Sequence, residues 1–291
     1  MSLRRLVPVL LLVGLCAASL RAQEQFTLLA TILDPEKGTP VESLTPADVR
    51  VTEDGEQAKV TKVEPVVRQV KALLLLDNGI GIGSNISEYR SGVRKLVEAL
   101  PPDIETAIYT TAPAPRLFLK ATKNKDELLK SVDRLALDTA TGRFTESLAE
   151  SLTRLAKEKD TFTVIICAGT TSGEGQTREQ HMKEVLEGLR GKPVIVHVLM
   201  YGGERSATGG DTQIEIGQRA AKMSGGRYEF INSMNRFVTL MPELGAEVAK
   251  QMTGSTRQFR ITAQRPSGKK GDLGKLGMSS GARAVTSVKV E

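Results

Sequence analysis

Residues 70–83 read VKALLLLDNGIGIG. Val70 to Leu76 is an apolar run with a single lysine, the pattern of a strand buried on both faces. Asp77 ends the run, and Gly79, Gly81 and Gly83 give the loop beyond it a backbone free to turn tightly. The next stretch, SEYRSGVRKLVEAL at 87–100, places Tyr89, Val93, Leu96, Val97 and Leu100 at helical spacing, and Pro101-Pro102 stops it. The same alternation continues outward. ETAIYTTA and PRLFLKA read as strands, KDELLKSVDRL and FTESLAESLTRLAKE as helices. FTVIICA, PVIVHVLMYG and RYEFI are further strands, with helices near TREQHMKEVLEGLR and TQIEIGQRAAKM and a last one from Asn235 to Met252. Strands alternating with helices of this length predict an α/β fold over 69–254: a doubly wound, mostly parallel, Rossmann-like sheet of six strands.

The flanks differ. Residues 23–68 hold FTLLATILD, DVRVTEDG and QAKVTKVEPV, short alternating runs, with Asp54-Gly55 placed for a hairpin turn. Residues 255–291 hold QFRITAQ and ARAVTSVKVE, separated by SGKKGDLGKLGMSSG, which reads as a glycine-rich loop. The two ends are expected to pair into one small β module with the α/β domain inserted between them.

Arg4 and Arg5 precede an apolar stretch from Leu6 to Leu20, and Ala22 comes before a polar run. That is the layout of a secretory signal peptide over 1–22. The stretch is shorter than the about 20 residues a bilayer span needs, and no later segment is apolar enough to span. The chain is expected to be exported, to the periplasm or beyond the cell. Loss of Arg4, Arg5 and Arg21 with the leader brings the formal charge from +6 to +3. With only 4% aromatic residues and dispersed cations, nothing suggests a nucleic-acid partner. Cys16 would leave with the leader. Cys167, the other cysteine, sits in the apolar FTVIICA and reads as a buried hydrophobe.

In a doubly wound sheet, ligands meet the loops beyond the carboxyl ends of the strands. Three loops lie there: DNGIGIG at 77–83, DTATGRFTES at 138–147 and CAGTTSGEG at 167–175. Their placement resembles the metal-ion-dependent adhesion site of von Willebrand factor A domains. That family carries Asp-x-Ser-x-Ser after its first strand, Thr on the second loop and Asp-Gly at the end of its fourth strand. SGGRYEFIN at 224–232 resembles the family's closing segment, and GTPVESLTPADVRVTEDGEQAKVTKVEPV at 38–66 resembles the lead-in of its secreted bacterial group. The resemblance implies a von Willebrand factor A fold and a protein-binding role.

The departures bear on the metal. Asp77 matches the first ligand position, but Gly79 and Gly81 replace the serines. Thr141 or Gly142 stands near the Thr position, and Ala168-Gly169 replaces Asp-Gly. A hard divalent cation needs oxygen ligands that these side chains lack, so the site is expected to be degenerate and metal-free, with no cofactor. The expected function is non-enzymatic binding of another protein through the sheet-top loops: Asp77, Asn78, Gly79, Gly81, Thr141, Gly142, Arg143, Phe144, Ala168, Gly169 and Thr170. Arg143, Phe144, Tyr201 and Arg205 are the candidate anchors. The rival readings are a cation-dependent adhesion protein and a secreted enzyme with an unfamiliar site.

Other motifs carry less. DNGIGI resembles the glycine box of histidine-kinase-type ATPases, yet what precedes Asn78 reads as strands rather than the helix that site requires. GMSSG at 277–281 has the nucleophile-elbow spacing, but only ten residues follow it and none is His. His197 lies inside a strand and reads as packed, and Asn85-Ile86-Ser87 is a formal glycosylation sequon.

Overall fold

The computed structural model describes residues 24–36, 40–67, 69–102, 104–158, 161–172, 179–190, 192–202, 210–255 and 257–290. The expected leader, residues 1–22, lies outside them, as does Arg205. In chain order come β1 (Gln25–Leu33), β2 (Arg50–Glu53), β3 (Glu56–Val67), β4 (Gln69–Leu76), α1 (Ile86–Ala99), β5 (Glu105–Thr110), β6 (Arg116–Thr122), α2 (Lys125–Asp133), α3 (Phe144–Leu155), β7 (Thr161–Thr170) and α4 (Glu179–Leu189). Then follow β8 (Val194–Tyr201), α5 (Gly210–Ser224), β9 (Tyr228–Ile231), α6 (Met234–Ser255), β10 (Arg257–Gln264), β11 (Leu276–Ser279) and β12 (Ala284–Val290).

The apolar runs form one sheet in the order β6-β5-β4-β7-β8-β9. All neighbours are parallel except β5 and β6. β4 shows why a strand here must be apolar throughout. Its Ala72, Leu74 and Leu76 face α1, α2 and α6, while Leu73 and Leu75 face α3, α4 and α5. β7 is buried at all ten positions. On the first face Tyr89 of α1 stacks on Phe237 of α6 with ring centroids 5.0 Å apart. Gly92 makes room for that ring: a Cβ there would lie 2.6 Å from it.

The remaining strands form a second, antiparallel sheet in the order β11-β2-β3-β10-β1-β12. Asp54 (φ 52°) and Gly55 (φ 86°) turn β2 into β3, a two-residue loop in which both central residues take positive φ. Ahead of β2, Thr45 donates its backbone N–H and its hydroxyl to Asp48 Oδ2 at 2.8 and 2.7 Å. That clasp sends Leu44 and Val49 into the core of this sheet. At the far end of β10, Arg265 forks onto the fully buried Glu53 at 3.1 and 2.5 Å. Its other donors reach Glu24 and the carbonyls of Gly271 and Asp272. These hydrogen bonds hold the Glu53 carboxyl below the usual range.

One expectation is corrected. Residues 267–281 are not loop throughout, because β11 lies inside them and pairs with β2. Leu276 and Met278 pack on the core. Gly277 passes so close to Thr52 that a Cβ would sit 2.6 Å from its hydroxyl oxygen. Glycine content signalled a turn, and here it serves close packing.

His197 of β8 is fully buried. Its Nδ1 accepts the Arg227 backbone N–H at 3.1 Å, so the ring proton sits on Nε2 and is donated to Gln251 of α6 at 2.8 Å. Burial pushes the imidazole pKa down. The fold therefore prefers neutral His197, while the unfolded chain protonates near 6.5. Stability from this residue is complete above that value and declines as pH falls below it, by at most about 1.4 kcal/mol per pH unit. Thermal melts between pH 7.5 and 5 are expected to show a steeper loss for wild type than for His197→Asn; parallel curves would refute this. Separately, Phe237→Ala should cost about 3–5 kcal/mol in chemical denaturation, the range for emptying a buried ring site.

Candidate functional site

Asp77 stands where β4 runs out, and its N–H still bonds Ala168 O of β7 at 2.8 Å. Its carboxyl is almost wholly buried, at 2% exposure. Oδ1 accepts the Gly79 N–H at 2.7 Å. Oδ2 accepts the Thr170 N–H at 3.1 Å and the Thr170 hydroxyl at 2.6 Å. With the Thr170 proton directed at Asp77, the Ser172 hydroxyl donates to Thr170 Oγ1 at 2.6 Å. Burial raises the Asp77 pKa, and the bonds from Thr170 and Gly79 oppose the rise. The Thr111 hydroxyl also faces this carboxyl, without a well-formed hydrogen bond among the described residues.

The second loop closes over the first. Asp138 N donates to Asn78 O at 2.7 Å and Ile80 N to Ala140 O at 2.9 Å. The Asn78 side chain bridges Ala136 O at 3.3 Å and the Ala112 N–H at 3.1 Å. Arg143 N reaches Thr111 O at 3.0 Å. Glycines permit the approach. A Cβ on Gly142 would lie 2.3 Å from Asp77 Oδ1, and one on Gly79 would lie 2.6 Å from Gly142 N. A Cβ on Gly81 would lie 2.0 Å from Ser172 Oγ and 2.5 Å from Thr170 Oγ1.

The residues named from the sequence do converge, but mostly below the surface. Asp77, Asn78, Gly79, Gly142, Ala168, Gly169 and Thr170 are buried, and Gly81 and Thr141 are half-buried. Two candidate anchors need correction. Phe144, 3% exposed, packs with Leu148, Met200 and Val198 between α3 and the sheet. Tyr201, 6% exposed, lies in the opposite core cluster, its hydroxyl accepting from Asn85 at 3.2 Å. Neither ring can meet a partner in this conformation. Arg143 is exposed, its Nε donating to Pro113 O at 2.8 Å and its Nη1 lying 3.2 Å from Glu146.

What the sequence reading missed is apolar. Ile80 is 58% exposed and Leu137 42% exposed, on the two loops just described. An isoleucine between two loop glycines was a legible signal. The Ser172 hydroxyl, next to Thr170, had none.

The remaining candidates have structural employment. Cys167 is buried, which pushes its thiol well above the usual range. Asn85 spends its amide on Ile82 O and Tyr201 rather than presenting it for glycosylation. Ser279 ends β11, and the Ser280 hydroxyl donates to Asp48 O at 2.9 Å.

No family model matches the sequence, and no curated protein matches it. Solved structures do. A von Willebrand factor type A structure from Catenulispora acidiphila has a TM-score of 0.52 at 10% identity, over 83% of this chain and 72% of that one. BatB from Bacteroides thetaiotaomicron has a TM-score of 0.49 at 14% identity, over 62% of this chain and 99% of that one. The von Willebrand factor domain of the type V pili tip protein Mfa5 from Porphyromonas gingivalis has a TM-score of 0.47 at 7% identity, over 64% and 97%. Identity this low speaks to fold alone. With five strands in parallel register, an antiparallel edge strand and six helices, the α/β part of this chain has a von Willebrand factor A-like fold.

Proposed function

We propose that this chain is an exported, non-enzymatic protein-binding protein that grips its partner with the rim of the parallel sheet and needs no cation to do so. One observation carries the reading. Two large apolar side chains, Ile80 and Leu137, stand exposed on neighbouring loops, and backbone hydrogen bonds fix those loops to each other. Apolar side chains held rigidly at the surface are what a binding site offers, because little entropy is lost when a partner covers them. Thr141 and Arg143 flank them. The buried residues named from the sequence then act as the frame that shapes the rim from beneath.

The residues around Asp77 do not fit a hard divalent cation. Three donors already occupy its two oxygens, and the Gly142 backbone closes over them. Among the described residues no group of three or more His, Cys, Asp or Glu could hold a metal. We read 1–22 as a signal peptide that sends the chain to the periplasm or beyond. Residues 23–68 and 255–291 make the β module, and 69–254 make the binding domain. The burial of Cys167 and His197 supports a role without catalysis.

Two measurements test this. Calorimetric titration with Mg²⁺ and Mn²⁺ is expected to show no micromolar isotherm; saturable binding at one ion per chain would sink the metal-free reading. Gly81→Ser should not create such binding, and should lower the melting temperature by crowding Ser172. In pull-downs from an extract of exported proteins, Ile80→Asp and Leu137→Asp should each reduce capture of the specific partner at least tenfold, the scale of an anchor residue. Arg143→Ala should weaken capture less. Unchanged capture by both aspartate variants would move the interface off the rim.

A further inference from the structure

A second surface lies on the α3 side of the sheet, away from the rim. On that face α3 covers β4 and β7 and reaches β5 at Tyr109, while β6 beyond it leaves Leu117 and Phe118 exposed. A groove of about 230 Å³ results, floored by Ala107, Tyr109 and Leu117 and walled by Leu155, Arg154 and Lys120. Leu117 is 48% exposed and Phe118, beside it, 37%. Arg154 lies over the Tyr109 ring at 4.6 Å. At the foot of the groove the two acids are already engaged: Lys71 lies 3.3 Å from Glu158 and 3.9 Å from Glu105.

Charge and edge geometry together select the occupant. From Arg116 to Lys123 the edge carries three cations and no acid. Among the described residues none of Arg116, Lys120 and Lys123 takes part in an ion pair. A flat edge strand would invite another strand to extend the sheet. β6 is not flat. Its pairing with β5 shifts twice: Phe118 is an extra residue between Leu117 and Leu119, and a second extra residue falls between Leu119 and Thr122. Such bulges twist an edge out of register with an incoming strand. Contact must therefore be made by side chains. The volume is below the about 300–1,000 Å³ of small-molecule pockets, and suits one bulky apolar side chain.

We infer that this groove docks an acidic peptide segment of a partner protein. One leucine- or phenylalanine-sized side chain enters between Tyr109 and Leu117, and flanking carboxylates pair with Lys120 and Arg116. The test pans a phage-displayed random dodecapeptide library on the purified full chain. Fluorescence polarisation of an enriched synthetic peptide follows. Selected peptides should carry Asp or Glu on both sides of a large apolar residue. Leu117→Glu and Lys120→Glu should each weaken the peptide at least tenfold, and raising NaCl from 50 to 500 mM should weaken it severalfold. Ile80→Asp, on the rim, should leave it unchanged, which separates this site from the rim. Matching circular dichroism and melting temperatures verify folding, and Leu117→Ser stands in should Leu117→Glu unfold. Absence of enrichment over a Leu117→Glu bait, selection of neutral or basic peptides, or affinity indifferent to both substitutions would overturn the assignment.

Discussion

A carboxyl group taken out of water has to be given donors, or its burial costs several kcal/mol. Asp77 meets that demand at the place where the sheet stops and its loops begin. The donors come from two segments, its own loop through Gly79 and the end of β7 through Thr170. The carboxyl therefore continues, in side-chain form, the β4–β7 pairing that the backbone has just ended. Ala168 shows the same economy, since its carbonyl accepts both the Asp77 N–H and the Tyr89 hydroxyl at 2.8 Å. Through Tyr89 the junction reaches the stacked Phe237 and the α1–α6 contact. The frame of the rim and the core of the fold are one connected structure.

This constraint also accounts for the glycines. A serine at 79 or 81 would offer an oxygen, but its Cβ would enter space already held by the Gly142 and Ala140 backbone or by the hydroxyls of Thr170 and Ser172. Hydroxyl groups are thus present near Asp77, supplied by the β7 loop instead of the β4 loop. The Thr170 hydroxyl bonds the carboxyl, and the Ser172 hydroxyl bonds Thr170. Two backbone bonds, from Asp138 N to Asn78 O and from Ile80 N to Ala140 O, tie the loops to each other. Among the described residues of these two loops, the side chains of Ile80, Leu137 and Arg143 face solvent beside those of Ser84 and Thr139, so this part of the rim presents apolar, cationic and hydroxyl groups.

Sequence periodicity exposed the parallel sheet because β4, β7 and β8 lie between two helical layers and have to be apolar on both faces. The hairpin at Asp54-Gly55 was legible because few residues accept two consecutive positive φ values. β11 was not, because Gly277 marks a close approach to Thr52 and the same letter marks a turn. Asp77 was found by its position after an apolar run. Phe144 was misjudged for a related reason. A phenylalanine after loop residues reads as an exposed anchor, whereas it opens α3 and packs into the core with Leu148, Val198 and Met200, its nearest ring carbon 3.6 Å from where a Cβ on Gly169 would be. Which way a helix faces on entry is a tertiary property, and one loop of sequence does not encode it.

The two surfaces differ in how they come to be exposed. At the rim, Ile80 is held out by a backbone that has no other course, given the bonds at Gly79 and Ala140. At the β6 edge, exposure follows from what the helices leave uncovered. α2 packs beside β6 on one face, and Leu119 turns toward that core. The bulge at Phe118 is what allows Leu117 and Leu119 to face opposite sides while remaining paired with the adjacent Tyr109 and Ile108. Without the extra residue, Leu117 and Leu119 would share one face, as residues two apart in a strand must. The same irregularity that discourages strand addition thus delivers a leucine to an uncovered patch of sheet. An edge designed only to resist pairing would have no need of that leucine, since the lysines and the bulges already suffice for it.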